Sequence, residues 1–300
     1  MFARPGLPSF DYVRAATLDE AVRLLREHGP AARPVMGGTD LFANMRDGKL
    51  RPQVVVDIKG LPGMRDIAYD AHGGLTVGAA VTMNELTRHA DVQAHYPLLA
   101  QAAETVASYQ IRNRATLGGN LCNASPCADT SPATLVLEAK FVLFGLGGER
   151  VVPAAQFFVG PGKTVLQPGE LMMAVHFPLP PAAAARYHKL GRCRSGDLSL
   201  VSVAVLGYAN GVDPSTGSGW HFRIGLGSVA PTPIRAAEAE AFLATNPPGE
   251  ETFTQAAELA MDVASPITDV RGTAEYQKAM VRTLTLRGLR GVWAQLKEDN

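Results

Sequence analysis

The chain has 300 residues, 46% of them hydrophobic and 19% charged, and its 28 basic side chains balance its 28 acidic ones. That length exceeds what one hydrophobic core usually takes, so two domains are expected, and the zero net charge gives no electrostatic case for binding nucleic acid or an anionic membrane. No apolar run reaches the roughly 18 residues that cross a bilayer, and the opening "MFARPGLPSFDY" lacks a signal-peptide core, so a cytoplasmic protein without a transmembrane segment is expected.

In chain order, the first clear helix is "TLDEAVRLLREHG", with Thr17 as cap, Glu20 completing a capping box, Gly29 as stop, and Ala21, Val22, Leu24 and Leu25 as buried stripe. "ARPVMGGTDL" then places a short strand, ending at Val35 and Met36, against a glycine turn. "QVVVDI", "DIAY" and "LTVGAA" read as strands, and Thr82 with Glu85 repeats the capping-box spacing. "PLLAQAAETVASYQI" reads as one long helix, followed by strands in "KFVLFG" and "LMMAVHF". "PLPPAAAA", residues 178–185, is the expected domain boundary. "LVSVAVLGY" and "WHFRIGLG" read as strands of one sheet joined by the loop "DPSTGSG". From about Arg235 the pattern is helical, punctuated by Thr252, Thr273, Pro247, Pro248 and Pro266.

Two segments share one design: "VMGGTDL" (35–41) and "TLGGNL" (116–121) each join Gly-Gly to a small polar residue and Leu. Paired glycines permit positive φ and let a bulky anion approach backbone amides where a Cβ would collide. Either turn alone is most simply a turn; two, with Thr39, Thr116, Asn120 and Asn123 beside them, suit a ligand with two linked phosphates. Asp129 is then a candidate acceptor for a ribose hydroxyl, or else a turn or helix cap. No Gly-Lys-Ser/Thr ending follows the glycines, which argues against ATP chemistry. "GLGSVA" fits a relaxed dinucleotide fingerprint, but Pro231 and Pro233 follow where a helix must open, so Gly225 and Gly227 read as a turn. Cys122, Cys127 and Cys193 are too few for a cluster or structural zinc and read as reduced thiols, so no metal site is expected. In "RYHKLGRCRSGDLS", Tyr187 and Lys189 share a face if the segment is a strand, with Arg192, Arg194 and Asp197 in a following turn.

Together these pieces resemble the FAD-binding medium subunit of the molybdenum hydroxylases, the family of xanthine dehydrogenase, aerobic CO dehydrogenase and 4-hydroxybenzoyl-CoA reductase. "PVMGGTDLFANMRDG" resembles the first pyrophosphate loop and "IRNRATLGGNLCNASPCADTSPA" the second, while "KLGRCRSGDLSLVSVAV" and "GSVAPTPIRAAEAE" resemble the carboxy-terminal domain. The resemblance implies an α+β fold: a PCMH/VAO-like FAD-binding region at 1–178, with subdomains at about 1–57 and 58–178, then a smaller α+β domain with an antiparallel sheet at 186–292. It implies that Val35, Met36, Gly37, Gly38, Thr39, Asp40 and Leu41, with Thr116, Leu117, Gly118, Gly119 and Asn120, hold the diphosphate. Asn123 and Asp129 would address polar groups of the cofactor, Asp129 on the adenosine ribose, and Val106 and Leu171 would lie close to it. Lys189 would stand near the flavin ring and Tyr187 would pack on it, both tuning its redox chemistry.

The implied function is electron transfer: FAD accepts electrons from [2Fe-2S] clusters on a small partner subunit, after oxidation of substrate at molybdopterin on a large one, and passes them to an external acceptor. The implied assembly is a dimer of heterotrimers. A stand-alone FAD-dependent oxidase or reductase is the alternative, and a non-catalytic nucleotide-binding scaffold a third reading. "GGNLCNASPCAD" carries no cysteine-rich insertion, so a four-iron cluster is not expected. "RPVMGGTDLFA" contains neither His nor Cys, so non-covalent FAD is expected. The oxidised substrate and the terminal acceptor are not encoded in this chain.

Overall fold

The computed structural model describes residues 6–181, 183–210 and 218–298. Its first elements are β1 (Asp11–Arg14), α1 (Leu18–His28), β2 (Ala32–Val35), α2 (Leu41–Arg46) and β3 (Val54–Asp57). The three strands form a parallel sheet in the order β1-β3-β2, with α1 as the crossover between its two edges. Helix α1 follows the sequence pattern in part: the Glu20 amide donates to Thr17 Oγ1 at 3.2 Å, but the Glu20 carboxylate accepts from the Ala16 amide and not from that of Thr17, so the expected capping box is half made. Gly29 ends the helix at φ 50°, and Ala21, Val22 and Leu25 are buried while Leu24 is half-buried.

Next come β4 (Ile67–Asp70), β5 (Gly74–Gly78), α3 (Met83–Arg88), α4 (Ala90–His95), α5 (Pro97–Glu104), α6 (Tyr109–Arg112), α7 (Leu117–Cys122) and α8 (Thr130–Val136). They are followed by β6 (Lys140–Gly145), β7 (Gly148–Pro153), α9 (Ala154–Phe157), β8 (Phe158–Gly160), β9 (Lys163–Thr164) and β10 (Leu171–Phe177). Strands β4-β5-β10-β6-β7 form an antiparallel sheet in that order. Both halves of the expected capping box at Thr82 and Glu85 are present.

The long helix expected over 97–111 is two helices. Helix α5 stops at Glu104, Ala107 takes φ 43°, and α6 restarts with the Ile111 amide donating to Ser108 Oγ. Arg112 supplies the physical reason, since its Nη1 donates to the carbonyls of Val106 and Ala107, which an unbroken helix would have used internally. The break turns Val106 and Ala107 toward the cavity described below.

The last elements are β11 (Ala183–Leu190), β12 (Val201–Ala209), β13 (Trp220–Gly227), β14 (Ile234–Arg235), α10 (Ala237–Thr245), α11 (Glu250–Asp262) and α12 (Ala274–Glu298). The strands form an antiparallel sheet in chain order. Most of the loop expected at "DPSTGSG" lies outside the described residues. The two faces of this sheet serve two cores. Alternation sends Ala185, Tyr187, Ala204 and Leu206 into the core of the preceding region, and Ala184, Val203, Val205 and Ile224 against the last three helices. Gly225 and Gly227 are strand residues of β13, not the turn that the sequence suggested. A Cβ on either would meet Pro132 at 2.6–2.7 Å, so these glycines seat α8 directly on the sheet. Among the described residues, no helix is long and apolar enough to cross a membrane.

Candidate functional site

A cavity of about 690 Å³ opens between the parallel sheet, helices α6 to α8, the β8–β10 region and the loop after β11. Its wall includes Val35 to Leu41, Val106, Thr116, Gly119, Asn120, Asn123, Asp129 and Leu171. Most residues expected from the sequence therefore meet around one space. Leu117 and Gly118 do not line it, nor do Tyr187 and Lys189.

The two Gly-Gly segments touch but do different jobs. In the first, Gly38 adopts φ 73°, and a Cβ on Gly37 would overlap the Arg114 carbonyl at the foot of the second. The chain thus crosses itself here at backbone distance. Among the described hydrogen bonds, the amides of Gly37, Gly38, Thr39, Asp40 and Leu41 have no protein acceptor, while the carbonyls of Gly38 and Asp40 cap the first turn of α2. Such a run of unpaired N–H groups at a helix start is an anion-binding concavity. Asp40 is an exposed residue, yet the enclosing loop desolvates its carboxyl and raises its pKa.

In the second segment the amides are already spent. Leu117 donates to Val81 O at 3.0 Å, Gly118 to Ala79 O at 2.9 Å, Gly119 to Thr116 Oγ1 at 3.1 Å and Asn120 to Thr116 O at 3.0 Å. Gly118 is needed because a Cβ would lie 2.5 Å from that of Ala79. Gly119 differs, since a Cβ there would meet only Thr116 Oγ1, at 2.8 Å. What this segment presents to the cavity is therefore side chains and one open glycine. Asn120 Oδ1 accepts from Thr130 Oγ1 at 2.6 Å, which leaves its amino group as the free donor, and Asn123 stands exposed beside it.

At the inner wall, Asp129 is only 6% exposed and precedes α8 without capping it. Lys189 Nζ donates to Asp129 Oδ2 at 2.8 Å and to Thr105 O at 2.9 Å, and Tyr187 Oη donates to Asp129 O at 2.7 Å. Asp129 Oδ1 is buried and has no partner. Burial pushes the Asp129 carboxyl up to about 6, and Lys189 pulls in the opposite direction without cancelling it. Tyr187 is 8% exposed, and burial holds its phenol well above the usual range. Lys189 and Tyr187 thus pack against Asp129, and neither lines the cavity.

Several wall residues escaped the sequence reading. Arg150 forks onto Glu170 with two contacts of 2.7 Å, tying the β7 edge to the cavity rim. Gly196, Asp197 and Leu198 close the opposite side: the Gly196 amide donates to Ala107 O at 3.1 Å, and Arg192 grips Asp197 from its amide and guanidinium. The turn chemistry of "GRCRSGDLS" was legible, but its docking on Ala107 needed the helix break. Cys122 and Cys127 also line the cavity. Burial pushes the Cys122 thiol up to about 12, and Cys127 Sγ accepts from Arg271 Nη1 at 3.2 Å. Among the described residues, no group of His, Cys, Asp and Glu could hold a metal ion.

A cleft of this size, with free amides along one wall and an unpaired buried carboxylate oxygen in another, fits a dinucleotide bearing a diphosphate and hydrogen-bond donors. The class is a dinucleotide-binding α+β protein. Residues 8–180 match the family model described as the FAD binding domain in molybdopterin dehydrogenase, and 186–292 match the CO dehydrogenase flavoprotein C-terminal domain. The chain is 34% identical to the carbon monoxide dehydrogenase medium chain of Hydrogenophaga pseudoflava, covering 96% of this chain and 98% of that one. It is 33% identical to the xanthine dehydrogenase FAD-binding subunit of Escherichia coli O157:H7, covering 91% and 92%. A solved structure of the Hydrogenophaga pseudoflava carbon monoxide dehydrogenase superposes with a TM-score of 0.90 at 36% identity, over 96% of this chain and 98% of that one. Quinoline 2-oxidoreductase from Pseudomonas putida 86 superposes with a TM-score of 0.88 at 29% identity, over 96% and 98%. The chain belongs to the family of FAD-binding medium subunits of molybdenum-containing dehydrogenases. It is an oxidoreductase subunit, and FAD is its cofactor.

Proposed function

We propose that the chain carries FAD as the electron-transfer station of a heteromeric molybdenum hydroxylase, taking electrons from [2Fe-2S] clusters on a small partner and releasing them to an external acceptor. Substrate oxidation belongs to a large molybdopterin partner in this reading, and the complex is a dimer of heterotrimers. The unpaired amide run at Gly37 to Leu41, which lines the same cavity as Asp129, supports the reading. Bound FAD supplies chemistry in steps of one or two electrons. The chain's own residues supply binding and exclusion: the first loop donates amides to the diphosphate, and Thr116, Asn120 and Asn123 offer polar side chains to it.

Val106, Leu171 and Met36 line the slot and keep water from it, while Asp129 accepts from the cofactor and Lys189 and Tyr187 set its position. Neither His nor Cys occurs in the first loop, which supports dissociable FAD. The cofactor-binding region spans 1–178 and a separate carboxy-terminal unit 186–292 in this proposal, supported by the two cores on either side of the last sheet. The three free cysteines suit a reducing compartment, the cytoplasm.

The test is native isolation of the chain from its source, with metal and flavin analysis of what comes with it. Two further subunits with molybdenum, iron and flavin are expected. A lone yellow chain that turns over substrate without metal would replace this reading with a stand-alone flavoenzyme.

A further inference from the structure

We propose that Arg112 is a positioning residue for cofactor retention: by fixing the break between α5 and α6 it presents the Ala107 carbonyl to the loop after β11, and so latches that loop against the cavity that holds FAD. The inference rests on the FAD assignment above. Arg112 does not line the cavity, so it acts through the main chain. Its guanidinium has neutral oxygens for partners: Nη1 donates to Val106 O at 3.0 Å and to Ala107 O at 3.4 Å, and Nε to Asn84 Oδ1 at 3.3 Å. Asn84 is buried, and its amino group is spent on Tyr109 O and Asn113 Oδ1, which turns its oxygen to Arg112.

A helix leaves its last carbonyls open, and a cation at that end both satisfies them and suits the helix dipole. Beyond α5, the carbonyl of Thr105 goes to Lys189 Nζ at 2.9 Å and that of Val106 to Arg112. The carbonyl of Ala107 is shared between Arg112, the Gly196 amide at 3.1 Å and Ser195 Oγ at 3.5 Å. Among the described hydrogen bonds, these two from Ser195 and Gly196 are the ones that join the loop at 191–198 to the FAD-binding region.

The loop is otherwise closed on itself, since Arg192 grips Asp197 from its amide and its guanidinium. Ala107 sits at φ 43°, a left-handed conformation that is unfavourable for a residue with a Cβ. Arg112 offsets that cost from the α6 side, and the loop docks on the carbonyl that results. Val106 and Ala107 line the cavity together with Gly196, Asp197 and Leu198, so the latch and this part of the wall are one structure.

The experiment follows hydrogen exchange by mass spectrometry and FAD dissociation in the full chain. In Arg112→Met, exchange at 191–198 should rise and FAD should dissociate about tenfold faster, the weight of one or two hydrogen bonds, while exchange in α1 stays at the wild-type rate. Adding Ala107→Gly should recover much of both losses, because glycine takes positive φ without the arginine. Gly196→Pro, which removes the loop's own donor, should release FAD as fast as Arg112→Met.

Wild-type loop exchange in Arg112→Met, or faster exchange with FAD release unchanged, would overturn the inference. A loss that spreads to α1, or that Ala107→Gly does not recover, would reduce Arg112 to general stability and overturn it as well. If Arg112→Met does not fold, Arg112→Lys decides. One ammonium lacks the fork that spans Val106 O and Asn84 Oδ1, so wild-type exchange and release in that variant would also overturn the inference. Failure of the wild type to bind FAD would instead defeat the FAD assignment.

Discussion

Gly37 lies against the carbonyl of Arg114, so that the two glycine segments of this chain meet backbone to backbone at the floor of the cavity. A methyl group at position 37 has no room there, because its neighbour is main chain and cannot rotate away. Gly37→Ala should therefore push the first loop off the second, with a stability loss of about 1–3 kcal/mol from overpacking and loss of FAD retention. Thermal unfolding and the flavin-to-protein absorbance ratio check this. A fully flavinylated variant of normal stability would mean that the loops do not need this contact.

The neighbouring glycines of the second segment should separate by phenotype. Gly118→Ala places a methyl on Ala79 in the core, so it should lower stability by about 1–3 kcal/mol. Gly119→Val projects toward the cavity and should abolish FAD retention with a smaller loss of stability. Parallel unfolding and FAD-titration curves would show the split. Equal damage to both properties in both variants would argue against it.

Glu170 gives a pH-dependent test of the cavity rim. The Arg150 fork, aided by the Gln167 amide, holds its pKa below the ordinary 4.5. A depressed carboxylate contributes stability that is present above its unfolded pKa and lost as pH falls through the folded one. Arg150→Met should cost about 1–2 kcal/mol near neutrality, discounted for the partial exposure of the arginine. That difference should shrink below about pH 4, which denaturant melts at several pH values would measure. A difference that is constant with pH would assign the loss to packing of the arginine stem.

The three thiols should react in a fixed order. Cys193 is exposed and should be alkylated first, while Cys122, whose buried thiol is pushed up to about 12, should be slowest. Cys122 and Cys127 line the cavity, so FAD should protect both and leave Cys193 unchanged. Mass-spectrometric mapping with and without FAD checks this, and protection of Cys193 alone would place the cofactor elsewhere.

What was legible in the sequence was local chemistry. The caps at Thr17 and Thr82, the stop at Gly29 and the β-branched run in "LVSVAVLGY" act within a few residues, and the caps, the stop and the strand are all present. The family motifs likewise brought both glycine segments to one cavity. Functions that depend on distant partners were not legible. Gly225 and Gly227 looked like a turn because nothing nearby announces that Pro132 will lie on them. Gly118 looked like a phosphate contact because its neighbour, Ala79, is far away in sequence. Lys189 and Asp129 were assigned to opposite ends of a cofactor, yet they form one ion pair. Strand β7 was missed because, of its six residues, only Val152 is buried while the neighbouring Val151 is exposed, so "GERVVP" shows no apolar alternation.

The most direct test of the central claim is a calorimetric titration of the flavin-free chain with FAD and, separately, with FMN. The cavity joins an amide-lined diphosphate wall to a carboxylate wall, so the account predicts one FAD per chain and much weaker binding of FMN, which lacks the second phosphate and the adenosine. Equal affinity for the two, or no binding of FAD by a folded chain, would contradict it.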